Sequence, residues 1–253
     1  MKELAFADCW YWFLLAAVVC YLIGCFNFAV IISHFKKKDI RDIGSGNPGT
    51  MNMTRTFGLK VGVLNFILDG IKGGLPAVIG WLIFKNYVFA GTAIYENGAI
   101  VGGVRVSDFM RYLCGTFVII GHVFPVFLKF KGGKGIASTM GLFSLSLLCE
   151  EWWFVFIAVA FLVLVYYYIY VTNWGSMGSL LGVAGLTIWQ AVIFVLRYKT
   201  ELAACNVWVV LLMLMLLVIN ILTWARHGKN IYKLLAGEEH RTLSHKKKNK
   251  NKT

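Results

Sequence analysis

Residues 202–224 read LAACNVWVVLLMLMLLVINILTW, without one charged side chain. A helix rises 1.5 Å per residue, so about 20 apolar residues cross the ~30 Å of bilayer hydrocarbon, and this stretch suffices. A helix on a soluble core would keep a polar stripe toward water, and none is present. Working outward, comparable runs occupy roughly residues 10–34, 58–84, 109–128, 136–149, 152–171 and 179–196, with the quoted run giving a last span at 204–225. The run 136–149 is the shortest. Composition agrees, with 58% hydrophobic residues, 15% charged residues and only 3 prolines in 253. The expected fold class is therefore an all-α integral membrane protein of seven transmembrane helices. Residues 1–240 read as one polytopic membrane domain and 241–253 as a disordered basic tail. The first run does not read as a cleavable signal peptide, because it is too long, has little basic charge before it beyond Lys2, and lacks an Ala-x-Ala site.

Charge sets the orientation. With seven crossings, the loops after spans 1, 3, 5 and 7 share one side. They carry Lys36, Lys37, Lys38, Arg41, Arg55, Lys129, Lys131, Lys134, Arg226, Lys229, Lys233 and the lysine-rich tail. The other side has Glu96, Asp108, Glu150, Glu151 and Glu201, with few bases beyond Lys85, Arg105, Arg197 and Lys199. The positive-inside rule puts the first set and the C-terminus in the cytoplasm and the N-terminus outside. The net charge of +13 needs no nucleic acid. The tail serves as a topology signal compatible with anionic lipid headgroups, and no aromatic-interleaved basic platform appears. The six cysteines stand singly in apolar surroundings, which reads as buried small hydrophobes, and no metal-ligand constellation is visible.

Three polar motifs fall in the basic loops. The first is Gly44-Ser45-Gly46-Asn47-Pro48-Gly49, with Arg55 following. Its glycines permit positive φ, so backbone N–H groups can curl around an anion; Ser45 and Asn47 add neutral donors and Arg55 a bidentate fork. The same residues read equally as a tight interfacial turn. The second, Gly132-Gly133-Lys134-Gly135, opens span 4. It is not a Walker loop, since no Ser or Thr follows Lys134 and no strand precedes it, yet it suits an anion at a helix N-terminus. The third sets His227 and Asn230 at i, i+3, with Glu239 further along. Ser176 lies between spans 5 and 6, and His122 ends span 3. Asp69 and Lys72, also i, i+3, read either as functional groups or as an ion pair packing span 2. Cations gathered at one face rather than along the span interiors, without an inverted repeat, weigh against a carrier.

Together these stretches resemble the bacterial acyl-phosphate:glycerol-3-phosphate acyltransferase (PlsY) family, nearly end to end. The resemblance is carried by Asp39-Ile40-Arg41 through Gly44–Gly49 to Asn52 and Arg55, and by Asp69, Lys72-Gly73 and Pro76. Gly121-His122 through Phe124–Gly135, Arg226-His227, Asn230-Ile231, and Gly237 with Glu239 complete it. It implies a multi-pass enzyme of the bacterial cytoplasmic membrane. The enzyme would transfer a fatty acyl group from acyl phosphate to the sn-1 hydroxyl of glycerol 3-phosphate, giving lysophosphatidate and phosphate, the entry step of phospholipid biosynthesis. By motif match Ser45, Arg55, Lys134, Ser176, His227 and Asn230 surround glycerol 3-phosphate, and Gly132 and Gly133 hold the acyl phosphate. Asn47 and Glu239 join the substrate-binding set. The proton of the acceptor hydroxyl has three candidate destinations, His122, His227 or a substrate phosphate oxygen, and the resemblance favours the last. Neither cofactor nor metal is expected. The expected partners are membrane lipids and, functionally, a soluble enzyme that makes acyl phosphate.

Overall fold

The structure, a computed structural model, describes residues 1–238. Glu239 and the tail 241–253 lie outside the described residues. Eleven helices carry the described chain: α1 Trp10–Cys25, α2 Phe28–Phe35, α3 Thr50–Phe57, α4 Leu59–Phe84, α5 Val106–Val123, α6 Ile136–Glu150, α7 Phe154–Thr172, α8 Gly175–Arg197, α9 Lys199–Ala203, α10 Val207–Ala225 and α11 Gly228–Leu235. Six spans among the described residues are long and apolar enough to cross a membrane: Trp10–Phe35, Leu59–Phe84, Val106–Leu128, Phe154–Thr172, Gly175–Arg197 and Val207–Ala225. The expected seventh, α6, has 15 residues, about 22 Å at 1.5 Å per residue. It nevertheless runs beside α5 from end to end. Its start follows Gly133, which packs on His122 near the end of α5, and its last residue, Glu150, bonds Arg111 in the first turns of α5. Large apolar side chains such as Leu14, Ile67, Val163 and Leu214 face outward, as suits a bundle in hydrocarbon.

The fold departs from the all-α expectation at the end of the bundle away from the motifs. Short strands β1 Lys2–Leu4 and β2 Tyr87–Phe89 pair in parallel, and β3 Ile94–Glu96 pairs antiparallel with β4 Ala99–Gly102. Asn97 and Gly98, at φ 50° and 78°, make the two-residue turn of that hairpin. Beneath these strands Phe89 stacks on Trp208 at 4.0 Å, with Phe13 and Phe109 packed around them.

The first expected span is interrupted rather than continuous. Asn27 is in extended conformation and its side chain caps α2 by accepting from the Val30 N–H at 3.1 Å. The carbonyls freed at the end of α1 are taken by the Lys72 ammonium, at 2.7 Å from Phe26 O and 3.3 Å from Gly24 O. A cation on orphan carbonyls within the bundle is the compensation such a break requires. α4 and α6 approach most closely through glycine, since a Cβ on Gly141 would stand 2.0 Å from Gly70 O.

Candidate active site

Each motif loop is positioned by its own local chemistry. In the first, Gly44 and Gly46 adopt φ 63° and 68°, the region glycine enters without steric cost. Asn52, buried on α3, organises the curl: its amide donates to Ile40 O at 3.1 Å and Ile43 O at 2.9 Å, and its carbonyl accepts the Ser45 N–H at 3.2 Å. Asn27 Nδ2 holds Pro48 O at 3.4 Å. Ser45 and Arg55 stay exposed, and Arg55 makes no hydrogen bond or ion pair among the described residues. Asn47 serves the turn itself, its carbonyl accepting from the Gly49 N–H at 3.0 Å.

In the second loop Gly132 and Gly133 are held by the end of α5. Their N–H groups are occupied, donating to Val123 O at 3.2 Å and His122 O at 3.1 Å, and neither adopts positive φ. Glycine is required there for space. A Cβ on Gly132 would lie 2.1 Å from His122 O, and one on Gly133 2.3 Å from His122 Nε2. The left-handed residue is Gly135, at φ 81°, and it lets the chain enter α6 without a side-chain cap. The uncapped first turn of α6 thus takes over as the candidate source of backbone donors for an anion.

The third motif meets the second directly. Lys134 Nζ donates to Asn230 Oδ1 at 2.5 Å, and Asn230 Nδ2 donates to Ser176 Oγ at 2.7 Å. These side chains come from the start of α6, from α11 and from the start of α8. Arg226 donates to Gly132 O at 3.1 Å, tying the end of α10 to the same turn. His227 is buried, and its Nδ1 lies 2.8 Å from Thr223 O. A carbonyl only accepts, so Nδ1 carries the proton and Nε2 keeps its lone pair. Burial, then the nearby Lys134, hold the His227 pKa down at about 4. The ring is therefore a neutral acceptor near pH 7.

His122 sits on the other side of this turn. Its Nδ1 is 2.9 Å from Lys72 Nζ, which pairs with Asp69 Oδ1 at 3.1 Å. Asn65 Nδ2 donates to Asp69 Oδ2 at 3.1 Å and reaches Thr50 Oγ1, at the start of α3, at 3.3 Å. A buried polar chain, Thr50–Asn65–Asp69–Lys72–His122, therefore connects the first motif to the second through α4. Asp69 and Lys72 are an ion pair, one of the two readings open from the sequence.

A family model described as glycerol-3-phosphate acyltransferase matches residues 14–237. The chain belongs to this family. Its relatives include the glycerol-3-phosphate acyltransferase of Mycoplasma pneumoniae, 33% identical over 234 residues that cover 88% of this chain and 92% of the relative. That of Aquifex aeolicus is 32% identical over 229 residues, covering 90% and 98%. Among solved structures, the glycerol 3-phosphate form of PlsY (YgiH), an integral membrane glycerol 3-phosphate acyltransferase, superposes with TM-score 0.67 at 28% identity, over 90% of this chain and 94% of that one. The lysophosphatidic acid form gives 0.66.

Of the acyltransferase residues expected from the sequence, Lys134, Ser176 and Asn230 form one hydrogen-bonded chain, with Gly132, Gly133 and His227 beside it. Ser45, Asn47 and Arg55 make no hydrogen bond to that chain among the described residues, and Glu239 lies outside them. Asn52, Arg226 and Thr223 were missed as contributors. Arg226 stood in the basic set and Asn52 in the family-like stretch, but neither position could be tied to a partner before the fold was known.

Proposed function

We propose that the chain is a membrane glycerol-3-phosphate acyltransferase that takes its acyl group from a fatty acyl phosphate and delivers it to the sn-1 hydroxyl. The observation that carries this reading is the Lys134–Asn230–Ser176 chain at the uncapped N-terminus of α6, with the neutral His227 beside it. An acyl phosphate is a mixed anhydride, already activated, so positioning and electrostatics supply most of the acceleration. Asn230 orients the Lys134 ammonium, a cation that suits a phosphate. The hydroxyl oxygen forms a bond to the acyl carbon, the bond from that carbon to the phosphate oxygen breaks, and the hydroxyl proton passes to a phosphate oxygen. The products are lysophosphatidate and inorganic phosphate. His227 Nε2 accepts a hydrogen bond from the acceptor substrate and orients it. Ser45, Asn47, Arg55 and Glu239 complete the glycerol 3-phosphate side, and Gly132 and Gly133 shape the donor side by leaving room rather than by donating.

The reading includes seven passages across a bacterial cytoplasmic membrane, with the motif loops in the cytoplasm and the N-terminus outside. The antiparallel course of α5 and α6 and the basic motif loops support it. A soluble enzyme that makes acyl phosphate is the fitting supplier of the donor. The test is direct: protein in lipid vesicles receives acyl phosphate and glycerol 3-phosphate, and lysophosphatidate and phosphate are expected in equal amounts. Product with acyl-CoA and none with acyl phosphate would contradict the donor assignment.

A further inference from the structure

We propose that His122 acts as a hydrogen-bond donor through Nε2–H to an oxygen of the acyl phosphate, with Lys72 and Asp69 as positioning residues that hold the imidazole in that tautomer. The proposal rests on the acyl-phosphate reading above.

The hydrogen-bond donors around His122 fix its tautomer. The ring is buried near the end of α5, and Lys72 Nζ stands 2.9 Å from Nδ1. Lys72 is paired with Asp69 at 3.1 Å and donates to the carbonyls of Phe26 and Gly24. An ammonium offers hydrogens and accepts none, so Nδ1 accepts and the single ring proton sits on Nε2. The carboxylate of Asp69 lies 3.7 Å from Nδ1, pairs with Lys72 and takes a hydrogen bond from Asn65 at 3.1 Å, so it is anchored to Lys72 and α4. From the opposite side, the charged group nearest the turn is Arg226, which donates to Gly132 O.

The second line is where Nε2 points. It has no hydrogen-bond partner among the described residues, although the side chain is 96% buried by its 4% exposure. It lies under the Gly132–Gly133 turn, so close that a Cβ on Gly133 would come within 2.3 Å. The turn is pinned to the same residue by the Gly133 N–H on His122 O. A ring N–H that no protein group meets is left for a ligand to complete. Its neighbour along the chain is Lys134, already oriented by Asn230.

Two isosteres separate the roles of the two nitrogens. In His122→Asn the amide oxygen replaces Nδ1 and still satisfies Lys72, but nothing replaces Nε2–H. In His122→Gln the amide nitrogen falls at Nε2. The donor role predicts a folded His122→Asn protein whose kcat with acyl phosphate falls at least ~10²-fold, the scale of one preorganised donor lost. His122→Gln should recover to within roughly 10-fold of the native enzyme, less than that donor's loss. The native to His122→Asn rate ratio should not change between pH 6 and 8.5, whereas a general base would lose its advantage as it protonates. Near-native activity in His122→Asn, a folded His122→Gln no better than His122→Ala, or a pH-dependent ratio each overturns the proposal. Should the variants fail to fold, ¹⁵N NMR of histidine-labelled native protein decides: Nδ1 unprotonated and Nε2 protonated is expected, and the reverse tautomer or an imidazolium near pH 7 overturns it. That readout is independent of activity, so it stands apart from failure of the native enzyme to use acyl phosphate.

Discussion

The two ends of the bundle both bury charge, and they surround it with different partners. Away from the motifs, Asp108 and Glu150 meet Arg111 and Arg197, two acids against two bases. Arg111 donates to Asp108 at 2.9 Å, to Glu150 at 2.5 Å and to Ser146 O at 2.8 Å. Arg197 donates to Asp108 at 2.8 Å and to Glu150, and Tyr198 and Gln190 fill the remaining acceptor sites at 2.6 and 3.0 Å. At the motif end Lys134 donates to the amide of Asn230 and Arg226 to the carbonyl of Gly132, while Lys72 pairs with Asp69. A carboxylate partner offsets a cation's field, whereas an amide or carbonyl aims the cation. The matched end is a clamp on α5, α6 and α8, and the other end is the proposed site.

The largest expected effect breaks the clamp. Arg111→Met leaves two buried carboxylates against the single base Arg197, so unfolding stability in detergent should fall by roughly 3–5 kcal/mol, the cost of removing one partner of a buried pair. Turnover per folded molecule should stay within about twofold of native, well below the ~10²-fold attached to a lost donor in the site. An inactive yet fully stable Arg111→Met protein would erase the distinction between the ends.

The next effect uses pH. Burial and Lys134 depress the folded pKa of His227 to about 4, against about 6.5 in the unfolded chain. As pH falls the unfolded state takes the proton first, so stability is full above about pH 6.5 and declines as pH drops toward about 4. The loss attributable to His227 should be on the order of 2–3 kcal/mol, and His227→Gln should remove it. Thermal melts of both proteins from pH 7.5 to 4 check this; parallel curves would contradict the burial of a neutral ring.

A smaller effect concerns one methyl group. Gly133→Ala would place Cβ 2.3 Å from His122 Nε2, and overpacking of this kind costs about 1–3 kcal/mol. Activity should fall roughly 10- to 100-fold if that strain is felt in the transition state. Unchanged kcat and KM for acyl phosphate would remove the turn from the site.

The motif end was largely legible in the sequence because glycine, lysine and asparagine announce themselves against an apolar background. Lys134, Asn230 and Ser176, three of the residues the resemblance named, are joined by hydrogen bonds. The reason for Gly132 and Gly133 was not legible: whether a glycine frees its N–H or merely makes room depends on what lies against it, here a histidine ten residues earlier. The clamp was not legible either. Asp108, Glu150 and Arg197 read as charges of external loops, since residues 40 to 90 positions apart carry no local sign that they will be buried together. The break at Asn27 was hidden inside an apolar run, and its compensating cation, Lys72, lies on another helix. The hairpin's Asn97-Gly98 turn was a readable signal outweighed by the surrounding spans.

The central claim is that the motif end binds phosphate and does the chemistry while the opposite end only holds the helices. The most direct measurement is kcat/KM for acyl transfer from acyl phosphate to glycerol 3-phosphate in the same vesicles for Lys134→Ala, Arg55→Ala and Arg111→Met, each normalised to folded protein. Losses of at least ~10²-fold are predicted for the first two, the scale of a lost electrostatic donor, and near-native values for the third. Near-native turnover in folded Lys134→Ala and Arg55→Ala, or an equal loss in Arg111→Met, would contradict the account.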